Sequence, residues 1–120
     1  MGYRSDIRIR TTKKGYEIMK AEVENFLKEN NLDELWNLLK INGVSIDKTE
    51  KAITIEWSYL KWYEEYKDVQ AIMKSLSILS EKNIDYQFMR IGEELDDIEE
   101  IWSVNNDSFD SFYVSRHFEG

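Results

Sequence analysis

The sequence predicts a single α+β domain: an antiparallel sheet with two to three helices packed on one face. Three observations point there. Short stretches alternate apolar and polar residues with the period of a half-buried strand. Longer stretches repeat apolar residues at helical spacing. The two kinds are interleaved along 120 residues, with no proline, low-complexity tract or repeat to mark a linker or a second domain.

In order, "DIRIRTT" alternates Ile7 and Ile9 with Arg8 and Arg10, which predicts a strand with a basic outer face. "GYEIMKAEVENFLKEN" sets Tyr16, Met19, Val23, Phe26 and Leu27 on one helical stripe. Asn31, with Glu34 three residues on, predicts the cap of a short second helix carrying Leu32, Leu35, Trp36 and Leu39. Asn42-Gly43 would stop that helix. A hairpin comes next, with Val44 and Ile46 before a polar turn at Asp47–Lys51 and Ile53, Ile55 and Trp57 after it. "KDVQAIMKSLSILSEKN" is the clearest helix, with Val69, Ile72, Met73, Leu76 and Leu79 on one face. "IDYQFMRI" reads as a strand. The chain should then end in a hairpin of Ile98–Val104 with Phe109–Phe118, joined at "NNDS".

Apolar residues make up 42% of the chain, with four Trp, seven Tyr and five Phe, enough for a core. No apolar run reaches the roughly 20 residues of a membrane helix. "MGYRSDIRIR" lacks the apolar core of a secretion signal, and Asp6 stands where an acylation signal needs Ser or Thr. The absence of cysteine excludes disulfides and thiolate metal sites. A cytoplasmic protein with no membrane contact is the expectation.

The charge is uneven. The net charge is −8, yet Glu93, Glu94, Asp96, Asp97, Glu99, Glu100, Asp107 and Asp110 fall in one stretch with no Lys or Arg. Removing these eight leaves sixteen acids against sixteen bases, so the rest of the chain is formally neutral. Such a patch repels DNA and RNA and attracts basic surfaces. The N-terminal Arg4, Arg8, Arg10, Lys13 and Lys14 are expected to neutralise it across the sheet.

Three stretches, "MGYRSDI", "LKWYEEYKDVQAI" and "YQFMRIGEELDDIEE", resemble a group of small, largely uncharacterised proteins of bacteriophages and prophages of low-GC bacteria. The resemblance implies a phage or mobile-element origin. Small acidic phage proteins often inhibit host machinery, so it further implies an anti-restriction or, more specifically, an anti-CRISPR role.

The residues themselves narrow the chemistry. Calcium loops alternate their oxygen ligands around a sharp glycine turn, whereas here Gly92 precedes the acids and Asp96 and Asp97 are adjacent. Acid–base work by paired carboxylates needs a cleft that an exposed turn does not supply. His117 is the only histidine, and the five glycines are all isolated, so neither zinc chemistry nor a phosphate loop is indicated. Trp57, Tyr59, Leu60, Trp62, Tyr63 and Tyr66 sit among acids, which suits core packing with rim tyrosines better than base stacking.

No catalytic, cofactor or metal residue is therefore expected, and the chain is not expected to be an enzyme. Instead the eight acids predict an anionic face that competes with nucleic acid for a basic channel, against the plainer alternative of a solvated edge that deters aggregation. Trp102, Phe109, Phe112 and Tyr113 would anchor that face. The expected partner is a host protein, a nucleic-acid-binding defence effector, and not nucleic acid itself. The alternatives are a phage structural or regulatory protein assembling through "ITIEWSYLKWY" and a small metal-dependent enzyme.

Overall fold

Apolar side chains at alternate positions of "DIRIRT" place β1 (Ser5–Thr11) at the centre of a five-stranded antiparallel sheet. The computed structural model describes residues 3–94, 96–110, 112–114 and 118–119, with side chains up to residue 112. The sheet order is β2-β3-β1-β4-β5, from β2 (Ser45–Lys48), β3 (Ile53–Leu60), β4 (Tyr86–Ile91) and β5 (Ile98–Ser103). In register, Ile9 lies between Ile55 and Phe88, and Ile7 beside Trp57. These five side chains are buried under helices α1 (Lys13–Glu29) and α2 (Lys67–Glu81), which pack together on that face. The expected fold class is what is found.

Thr12 caps α1, its Oγ1 accepting from the Gly15 N–H at 3.0 Å. The stripe of Tyr16, Met19, Val23 and Leu27 is buried as its spacing predicts. On α2, Val69, Ile72, Leu76 and Leu79 are buried and Met73 is partly so.

Two expectations need correction. Asn31 does not start a second helix; it ends the first. At φ 56° it adopts the left-handed conformation after α1, its N–H donating to the Lys28 carbonyl and that of Leu32 to the Leu27 carbonyl. Beyond it the chain makes a single 3₁₀ turn, Glu34–Trp36, capped by Asp33. The turn stops because the buried Asn37 side chain accepts from the Leu39 N–H and competes with helix. Leu38 and Leu39 are buried, while Leu35 is 84% exposed.

The second correction concerns the end of the chain. β5 pairs with β4, not with the 109–118 stretch, and the acidic turn connects these two strands. Within the described residues that stretch contributes only β6 (Tyr113–Val114), paired with β7 (Phe118–Glu119) in a separate ribbon. The cause is polar. Buried Gln87 faces away from the helices, and its amide donates to the Phe112 carbonyl and accepts from the Phe112 N–H. The chain is thereby drawn across the outer face, where Met89, Ile91, Phe109 and Phe112 are also buried.

Candidate functional site

Successive residues of a strand point to opposite faces, and this divides the acidic segment. Glu99 lies opposite Arg90 on the helix side, and Glu100 opposite Met89 on the outer side. Glu93, Glu94 and Asp96 are exposed on the β4–β5 turn. Asp107 is exposed beyond the far end of β5, about 17 Å away along a six-residue strand. Because β5 is the last strand in the sheet order, Glu100 and the turn acids lie at one edge of the sheet, while Asp107 stands between Asn106 and Ser108, whose N–H groups bond to Asp85 beside β4. Asp110 does not belong to that edge: it lies with Arg10 and Thr54 beside the β2–β3 turn.

Asp97 is turned inward. Arg90 donates Nη2 to its Oδ1 at 2.8 Å and Nη1 to its Oδ2 at 3.2 Å, and Tyr3 donates its hydroxyl to Oδ2 at 2.6 Å. The Arg90 Nε also donates to Glu99 Oε1 at 3.0 Å, and Nη1 to Ser5 Oγ at 3.0 Å. Arg90 first, then Tyr3, hold the Asp97 carboxyl below its ordinary range. The same bond to Asp97 raises the Tyr3 hydroxyl and, with Glu99, the Arg90 guanidinium. So Arg90, just before the segment, pairs with two of its acids and balances one of their two charges. Of the N-terminal cations, Arg8 pairs with Glu56 at 3.2 Å, and Arg10 donates to Thr54 Oγ1 and the Asp110 carbonyl.

Among the expected aromatic anchors, Trp102 is 47% exposed on the edge, its indole N–H donating to Glu100 Oε2 at 2.9 Å. Phe109 and Phe112 are buried, and the Phe112 ring lies 5.2 Å from the guanidinium carbons of both Arg8 and Arg10. They anchor the protein's own strap and are not surface contacts. The Tyr113 side chain and His117 lie outside the described residues. Trp57 and Trp62 are core residues 5.8 Å apart, and Tyr63 and Tyr66 meet edge-to-face at the rim. In "ITIEWSYLKWY", Ile53–Glu56 is paired on both sides, by β1 and β2.

Sequence reasoning missed Tyr3, Asp85, Arg90 and a groove. Asp85, 1% exposed, accepts from the backbone N–H groups of Asn105, Asn106 and Ser108. The signal was present: Asp85, Gln87 and Arg90 are polar residues inside an apolar strand sequence, and each needs a partner. The groove, about 580 Å³, runs between the start of α2 and the β4–β5 end of the sheet. Trp62, Tyr63, Val69 and Met73 form one wall, with Arg90 and Glu99 opposite. Among the described residues no three His, Asp or Glu side chains converge as a metal site requires. No helix among them is long and apolar enough to cross a membrane.

Fold and site together define an antiparallel α+β protein with an acidic sheet edge beside an aromatic-walled groove. No protein-family model, curated protein or solved structure matches the chain.

Proposed function

We propose that this is a binding protein of phage type that inhibits a host defence effector, an anti-CRISPR-like inhibitor, by occupying a basic nucleic-acid channel. One observation carries the reading: all of the net charge can be assigned to Glu93–Asp110, and the exposed Glu93, Glu94, Asp96 and Glu100 lie on the edge strand and the turn before it. A channel lined with Lys and Arg binds nucleic acid largely by releasing counterions from phosphates, and a row of carboxylates competes for the same cations. Trp102, half-exposed within that row, supplies the apolar contact that fixes register. Asp97 and Glu99 are assigned a structural part, since Arg90 holds both.

That division of roles sets the test. Reversing Glu93, Glu94, Asp96 and Glu100 to Lys, with Asp97 and Glu99 kept, leaves the Arg90 cluster intact. Binding to a purified CRISPR nuclease of a low-GC bacterium should fall at least tenfold. Binding of the unaltered protein should weaken steeply between about 50 and 200 mM salt. Full inhibition by a folded reversal variant refutes the mechanism. Self-assembly is the second reading, favoured by the exposure of Ile98 and Trp102 on the edge strand. A stable, salt-insensitive dimer in sedimentation would support it instead.

A further inference from the structure

We infer that the groove between α2 and the β4–β5 end of the sheet receives an arginine side chain from a basic segment of a partner protein. The inference goes beyond the edge reading and concerns the helix side of the sheet. Its volume, about 580 Å³, lies within the roughly 300–1,000 Å³ of sites that enclose small ligands. Its wall offers what the stem of a long cation needs: the Trp62, Tyr63 and Met73 side chains, with Val69 buried beneath. Tyr63 is held in place on two sides, its ring edge-to-face with Tyr66 at 5.0 Å and its hydroxyl accepting from the Tyr3 N–H.

Charge decides the occupant. Glu64, Glu65, Asp97 and Glu99 line the groove against a single cation, Arg90. Arg90 is already turned onto Asp97, Glu99 and Ser5, so it gives the groove little capacity for an anion. Glu64 and Glu65 are exposed at the mouth, and Glu99 stands half-exposed opposite the aromatic wall. A planar guanidinium stacks on aromatic faces and donates to carboxylates in its plane, which a lysine ammonium does not match. The arrangement is an apolar slot with anionic ends.

The probe is a blocked Gly-Arg-Gly peptide, compared with its citrulline counterpart, which keeps the shape and loses the charge. Amide and indole resonances of the isotope-labelled protein report the site. The arginine peptide should give saturable shifts at Trp62, Tyr63, Gln70, Met73 and Glu99, and citrulline should bind at least tenfold more weakly. Glu64→Gln with Glu65→Gln, both on the exposed turn, should weaken the arginine peptide about tenfold. Glu99→Gln, which keeps an acceptor for Arg90, should weaken it as well. Replacing Glu100 by Gln and Asp107 by Asn, on the outer side and beyond the far end of β5, should leave saturation within about threefold at 150 mM salt, where charges beyond about 8 Å are screened. Equal binding of citrulline, or shifts spread evenly over Glu93, Glu100 and Asp107, would overturn the inference. Either result leaves the effector assay untouched, so the two readings fail separately.

Discussion

Arg90 and Asp97, seven residues apart, are joined by two hydrogen bonds, Nη2 to Oδ1 at 2.8 Å and Nη1 to Oδ2 at 3.2 Å. Both side chains are mostly buried, which sets this pair apart from ordinary surface ion pairs, worth about 0–1 kcal/mol. It closes the β4–β5 turn and joins it to the start of β1 through Tyr3 and Ser5.

Removing the cation strands two carboxylates. Arg90→Met should lower unfolding free energy by about 1.5–3 kcal/mol in urea titrations at neutral pH. The pH dependence has a definite sign. Arg90 and Tyr3 depress the Asp97 carboxyl, so its contribution is fully present above the unfolded pKa and is lost as pH falls through the folded value. The difference between the parent protein and Asp97→Asn should therefore shrink below about pH 4. A difference that stays constant down to pH 2 would remove Asp97 from the acid response.

Gly92 is required by proximity. A Cβ built there would overlap both Asp97 Oδ2 and the Tyr3 hydroxyl oxygen. Gly92→Ala should cost about 1–3 kcal/mol, the range for overpacking. Adding Asp97→Ala removes the nearer of the two obstacles and frees the Tyr3 hydroxyl from its bond to Asp97, so the double variant should lose less than the two singles combined. Strict additivity in that cycle would show that the clash is relieved elsewhere.

Asp85 secures the chain after β5. Burial pushes its carboxyl up, but the N–H groups of Ser108, Asn105 and Asn106 outweigh this and hold it below its usual range. Its stabilisation is thus present above the unfolded pKa and fades as pH falls through the folded one. Asp85→Ala should cost about 2–4 kcal/mol, through three N–H donors left without their carboxylate. Amide exchange at Asn105, Asn106 and Ser108 should accelerate well beyond that at Ile7 or Ile9. Unchanged protection there would mean that other contacts hold the loop.

These relationships show what the sequence could disclose. The period-two runs around Ile7 and Ile55, and the stripes through Met19 and Ile72, carry the fold because burial of one face fixes both period and partner. The end of the chain was not legible in the same way. Phe109 and Phe112 read as strand residues, but their place is set by Gln87, 25 residues before Phe112. Local pattern contains no such long-range pairing. The acidic run was legible as a concentration of charge and not as a face. Adjacent Glu99 and Glu100 diverge by strand geometry, and Arg90 is brought to Glu99 only by the hairpin register. Asn31 was ambiguous because asparagine serves both as a helix start and as a left-handed stop.

Tyr59 combines backbone strain with exposure. At φ 56° it lies in the left-handed region, which costs a non-glycine residue about 1–2 kcal/mol. The strain arises at a bulge: Ser5 pairs with Leu60 and Ile7 with Trp57, so Ser58 and Tyr59 together oppose Asp6. Asp6 holds the bulge, its Oδ1 accepting from the Tyr59 N–H at 2.8 Å, and Arg4 sits 5.1 Å from the exposed Tyr59 ring. Glycine relieves the strain and alanine does not. Tyr59→Gly should therefore stay within about 1 kcal/mol of the parent protein, because relief of the strain offsets the lost Arg4 contact and the added freedom of the unfolded chain. Tyr59→Ala keeps the strain and loses the same contact, so it should fall by about 0.5–1 kcal/mol. Chemical denaturation of the pair decides the matter: equal stabilities would show that the bulge relaxes once the ring is gone.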